Sequence, residues 1–190
     1  MAKILENLHK TLGAGLALAV VVYLLRHRTI DYAYVTFLFR WLHVLSGVLW
    51  IGLLWYFNFV QIPTMPKVPA ELKPAVSKYI APEALFWFRW AALVTVVTGL
   101  ILAMFSGYLV SALTLRSPAT TIGIGMWLGL IMAFNVWFLI WPNQQKALGL
   151  VPADDAAKAK AARLAMLVSR ANTMLSIPML YCMVSYQNIG

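Results

Sequence analysis

Residues 34–60, YVTFLFRWLHVLSGVLWIGLLWYFNFV, carry one formal charge, at Arg40, in an otherwise apolar run. A helix rises about 1.5 Å per residue, so this stretch reaches about 40 Å and exceeds the ~30 Å hydrocarbon thickness of a bilayer. It therefore reads as a membrane span. Outward from it, residues 12–25, 84–113, 120–141 and 164–186 are further apolar runs bounded by charged or proline-containing segments. Over 190 residues the composition is 62% hydrophobic and 11% charged, with a mean hydropathy of +0.79, too apolar for a soluble domain to hide. The expected fold is an all-α integral membrane protein with about five transmembrane helices in one bundle, a single polytopic domain over residues 1–190.

The first run, 12–25, is short and follows a basic start, as a secretory segment would. No small-residue cleavage site follows it, and Arg26-His27-Arg28 reads as a stop-transfer cluster, so an uncleaved anchor is expected. Between the second and third runs lie Pro63, Pro66, Pro69, Pro74 and Pro82. Each lacks a backbone donor, so this segment cannot cross lipid and is expected to be an interfacial loop with one short helical turn. Residues 154–163 are rich in alanine and mixed charge, which should extend the last helix beyond the bilayer, and Pro178 should kink it.

Of the 15 Lys and Arg residues, all but Arg26, Arg28, Arg40 and Arg116 fall on or nearest the side that carries the N-terminus. The positive-inside rule then puts the N-terminus in the cytoplasm and the C-terminus on the opposite side; the expected location is a bacterial inner membrane, with the C-terminus in the periplasm. The same distribution accounts for the net charge of +9 without invoking nucleic acid. Cys182 is the only cysteine, which excludes a disulfide framework, a CxxCH haem attachment and a thiolate metal site. Paired carboxylates, a Ser-His-Asp set and a glycine-rich phosphate loop are absent as well.

Polar residues at membrane depth are costly and usually face a cavity or a partner. They form two layers. The outer layer is Arg40-Trp41-Leu42-His43, with His43 about 15 Å into its helix, whereas His9 and His27 flank the first run. Depth counting on neighbouring helices brings Met104, Met126 or Met132, and Met174 or Met179 near the level of His43, so a thioether is available as a second axial bond to a haem iron held by His43. Gly47 would admit a flat macrocycle, Trp50 would pack its edge, and Arg40 would pair with a propionate. On spacing alone, His43 equally suits a hydrogen bond to a neighbouring helix, with methionines filling gaps and Gly47 as a packing contact.

The inner layer gathers Asn58, Arg89, Asn135, Arg170 and Asn172 within about two turns of the other surface. Arg89, Asn135, Arg170 and Asn172 would make a substrate site for a small planar anion or a quinone head; the competing reading is snorkelling arginines and asparagines that join helices. Trp87, Trp90, Trp137, Trp141 and Tyr79 read as an aromatic belt.

Three segments carry a family likeness: Arg40-Trp41-Leu42-His43 leading to Trp50-Ile51-Gly52, FNVWFLIWPNQ at 134–144, and NTMLSIPM at 172–179. They resemble the membrane domain of PuuD-type urate oxidases, the urate oxidase N-terminal family, from about Arg40 onward. The resemblance implies a membrane-embedded oxidoreductase of purine breakdown, whose full-length members carry a cytochrome c domain that relays electrons. This chain has no CxxCH and fewer helices than the full-length membrane domain, so a separate cytochrome c or membrane complex is the expected partner. A looser likeness, resting on the Leu-His…Trp…Gly pattern, is to the HemJ-type protoporphyrinogen oxidase group, and it implies haem b at His43. The expected function is a haem b-binding redox protein, an electron-transfer or oxidase component; the alternative is a non-catalytic accessory subunit of a larger membrane complex.

Overall fold

The computed structural model of the chain describes residues 2–27 and 29–189, so the expectations placed on Arg28 and Gly190 lie outside the described residues. Among the described residues the secondary structure is entirely helical, with no strand. The chain divides into two compact units, Met1–Leu38 and Phe39–Gly190.

In the first unit, helix α1 spans Leu8–Arg26 and is capped by Asn7, whose side chain accepts the Lys10 N–H. None of its residues is buried, so it shows apolar side chains all round, as a lipid-facing span does. His27 ends it amid the rings of Tyr23, Tyr34 and Phe37.

Helix α2 spans Tyr32–Trp55 and runs on through a π-helical segment, Tyr56–Gln61, into Ile62–Thr64. The proline-rich segment then forms several short pieces rather than one turn, Met65–Lys67, Lys73–Ala75 and Val76–Ile80, before α3 at Ala81–Phe105. The expected helix over 84–113 ends early. Gly107, at φ +77°, takes the left-handed conformation that closes α3, and a separate short helix, α4, covers Leu109–Leu113. Helix α5 spans Thr120–Phe134, continues through a π-helical segment at Asn135–Ile140, and finishes in Trp141–Ala147. Helix α6, Asp155–Asn188, starts where Asp154 caps the Ala157 N–H at 2.7 Å. Pro178 sits inside it without ending it.

The π-helical segments have a common cause. Each is followed directly by a proline in the first turn of the next helix: Pro63, Pro82 and Pro142. A proline ring clashes with the carbonyl four residues back. Widening the preceding turn moves that carbonyl aside, and the residues ahead of these prolines, Ile62, Ala81 and Trp141, bond five residues back to Phe57, Val76 and Val136.

Among the described residues, four helices are long and apolar enough to cross a membrane: Leu8–Arg26, Tyr32–Lys67, Lys73–Phe105 and Thr120–Ala147. The segment expected as a fifth span lies in α6, which has the length but is diluted by Ser169, Arg170, Asn172, Thr173 and Ser176. Several of these face inward: Ser169, Asn172 and Ser176 are buried. The core of the second unit joins Trp50, Leu54 and Phe57 to Phe88, Met132, Val136 and Met179. Gly125 lets α5 lie close to α6, because a Cβ there would come 2.9 Å from the Cβ of Cys182. A Cβ on Gly123 would run into the Ala112 carbonyl of α4. Small residues at such crossings let helices approach in a bilayer, where no hydrophobic force drives them together.

Candidate functional site

Helices α2 and α6 are tied at one end of the second unit and leave a cavity toward the other. The ties are hydrogen bonds from Asn58 Nδ2 to Ser169 Oγ at 2.8 Å and from Trp55 Nε1 to Ser176 Oγ at 3.1 Å. Beyond Trp55 a cavity of about 620 Å³ opens, walled by α2, α3, α5 and α6 and reaching Arg40. From Trp55 to Arg40 is about 22 Å along the helix axis. Its volume is that of an ordinary small-molecule or cofactor site.

His43 lines this cavity, and its ring is fixed. The Nδ1 atom lies 2.8 Å from the Thr95 carbonyl. A carbonyl only accepts, so Nδ1 carries the proton and donates, and in the neutral ring Nε2 keeps its lone pair. The sequence signal is Gly99, four residues after Thr95. In a helix the side chain at i+4 sits over the carbonyl of residue i, and glycine leaves that carbonyl open to a neighbouring helix. A Cβ at Gly99 would stand 2.8 Å from Cε1 and 2.9 Å from Nδ1 of His43.

Of the residues singled out for a cofactor, Arg40, His43, Gly47, Trp50 and Met126 all line the cavity. Met104 does not; it lies on α3 and is 57% exposed, turned away from the cavity. Met179 and Met183, one turn apart on α6, join Met126 in the wall. Gly52 and Gly129 have open space where a side chain would begin, and Gly47 meets only the Thr95 methyl at 3.7 Å. Trp50 is almost wholly buried, yet its Nε1 has no hydrogen-bond partner. At the Arg40 end the lining turns polar, with Tyr108, Gln187 and Asn188. Burial, helped by the Tyr186 phenol, pushes the Tyr108 phenol up while Arg40 pulls it the other way. Tyr108 is therefore a neutral hydroxyl at physiological pH. Arg40 itself is exposed.

The second set of sequence candidates is not brought together as one polar cluster. Asn135 donates to Asn172 Oδ1 at 2.8 Å, and Asn172 donates to the Met132 carbonyl at 2.9 Å. These amides join α5 to α6. Arg89 stacks on Trp141, its guanidinium carbon 3.2 Å from the ring centroid, with Trp137 at 5.9 Å. Arg170 is exposed on α6. Thr95, Gly99 and Met183 were missed by sequence reasoning; the Thr-x-x-x-Gly spacing on α3 was the available signal for the first two.

The second unit is thus a helical membrane bundle with a histidine-bearing cavity among four helices. Residues 113–188, which hold α5 and α6, match the model of the urate oxidase N-terminal family. The resemblance drawn from the sequence is borne out over that portion, which includes both the FNVWFLIWPNQ and NTMLSIPM segments. No curated protein and no solved structure matches the chain.

Proposed function

We propose that this protein binds haem b in the cavity, with His43 as an axial ligand, and works as a membrane redox component that hands electrons to or from a separate partner. The observation that carries the reading is the His43–Thr95 hydrogen bond. Metal-ligating histidines characteristically donate their other ring N–H to a carbonyl or carboxylate, which fixes the tautomer and raises ligand basicity. That arrangement is present here.

The remaining lining suits the group. Gly47, Gly52 and Gly129 leave flat wall, Met126, Met179 and Met183 offer thioethers, and Arg40 with the neutral Tyr108 hydroxyl would receive carboxylates at the mouth. A bound haem would supply one-electron chemistry; the protein holds, orients and shields it. The family match and the expected bacterial inner-membrane setting with a cytoplasmic N-terminus favour an oxidase-related role, with a cytochrome c or larger membrane complex as partner.

Haem content of the purified protein tests the reading. His43→Ala is expected to lose most of its haem, whereas His9→Ala and His27→Ala, whose histidines are exposed outside the cavity, keep it. Full haem occupancy in well-folded His43→Ala protein would move the axial role elsewhere.

A further inference from the structure

The FNVWFLIWPNQ segment, away from the cavity, holds a charge. Its Trp137 and Trp141 lie four residues apart in the continuation of α5, and the Arg89 guanidinium of α3 sits against both, 3.2 Å from the Trp141 ring centroid and 5.9 Å from that of Trp137. A snorkelling arginine stretches its head toward water; this one is folded onto a ring. Nε and Nη1 are shut away from water without a hydrogen-bond partner, a cost that the π face of Trp141 offsets. Nη2 is not sealed in this way, and among the described residues it too has no hydrogen-bond or ion-pair partner.

The chain itself leaves this charge unbalanced. The acids of the second unit are Glu71, Glu83, Asp154 and Asp155. Glu83, the one on α3, is about 9 Å from Arg89 along the axis and accepts the Trp87 Nε1 hydrogen. Asp154 caps α6, and Asp155 pairs with Lys158. Depth then specifies the anion that would serve. Helix α3 ends at Phe105, and Arg89 is about 24 Å back along it, close to the far boundary of a ~30 Å hydrocarbon core. Trp87 and Trp90, both exposed, flank it at the level where indoles meet headgroups. The acidic group present at that level is a lipid phosphate.

We propose that Arg89, held by Trp141, is the binding site for one anionic phospholipid, whose phosphate accepts a hydrogen bond from Nη2 while its acyl chains lie along the exposed rings of Phe86, Trp90 and Phe138. A charge-assisted bond to phosphate is among the strong ones. Lys67, Lys73, Lys78 and Lys146, at the same end of the unit, add a field that favours a headgroup with net negative charge over a zwitterionic one. None of Arg89, Trp137 and Trp141 lines the cavity, so the site stands apart from the haem reading.

The test is native mass spectrometry of the delipidated full chain in detergent, titrated with dioleoyl phosphatidylglycerol. The first lipid is expected to bind more tightly than later ones, and about tenfold more weakly in Arg89→Gln. Arg170→Gln removes the same charge from the exposed face of α6 and should leave first-lipid affinity as in wild type. Arg89→Lys, which serves if Arg89→Gln misfolds, keeps the charge but loses the planar stack, and a loss of about threefold is expected. Unchanged affinity in the Arg89 variants, or an equal loss in Arg170→Gln, would reduce the site to diffuse surface charge and overturn the proposal. Equally tight binding of dioleoyl phosphatidylcholine would do the same, and displacement of the first lipid by millimolar inorganic phosphate would assign Arg89 to a soluble anion instead.

Discussion

Gly99→Ala isolates the positioning of His43 from its chemistry. The added Cβ would stand 2.8 Å from Cε1 and 2.9 Å from Nδ1, where ordinary contact begins at 3.4 Å, so the ring must retreat by about 0.6 Å. The neighbour is a ring whose Cα is fixed in α2, so it yields mainly by rotating away from Thr95. The 2.8 Å hydrogen bond then opens to about 3.4 Å, outside the usual range for N–H···O. Losing it removes about 0.5–1.5 kcal/mol of orientation, and disturbing such an outer-shell bond weakens metal affinity about 10- to 100-fold. The assay is haem titration of purified protein at sub-saturating haem, with Gly13→Ala as control, since a Cβ at Gly13 meets nothing within 4 Å. Alanine is the better helix former, so Gly99→Ala should not lower helix content. Haem affinity equal to wild type in that variant would refute the claim that the Thr95 bond and the Gly99 gap hold His43 ready to bind iron.

Three further outcomes follow from the packing. Asn172→Ala should cost about 1–3 kcal/mol, read as a lower thermal midpoint in detergent, because it leaves the Asn135 side-chain amide without its acceptor between the helices and removes one of the donors to the Met132 carbonyl. A double-mutant cycle with Asn135→Ala should show coupling, and strict additivity would contradict the amide bridge. Gly123→Ala should destabilise by about 1–3 kcal/mol, since the obstacle is the Ala112 backbone carbonyl and α4 must shift as a body; an unchanged midpoint would show that α4 yields freely. For topology, a reporter inserted near Asp154 is expected in the cytoplasm and one fused after Gly190 outside; both on one side would mean that α6 does not cross.

Hydrophobic length and charge made the membrane class legible, because bilayer thickness acts on sequence directly: the run at 34–60 leaves little choice. What helix counting could not supply was azimuth. It placed Met104 and Met126 near the level of His43, but level does not say which way a side chain points. Met126 turned into the cavity and Met104 away from it. The same gap hid Met183 and left both readings of the second polar layer open. Asn135 and Asn172 share the depth of Arg170, yet the amides face each other between helices while Arg170 is exposed. Thr95 and Gly99 escaped notice because their role depends on α2 lying against α3, a contact between distant segments. The end of α3 at Phe105 was written in Gly107, which an apolar run across it obscured.

The central claim, iron held by His43 in a redox-active membrane cavity, is tested most directly by the visible absorption spectrum of the detergent-purified chain, oxidised and then reduced with dithionite. The account predicts a Soret band that shifts on reduction, with sharpened bands at longer wavelength, and loss of this signal in His43→Ala. A colourless wild-type protein that also fails to take up added haem would contradict it and return the chain to the accessory-subunit reading.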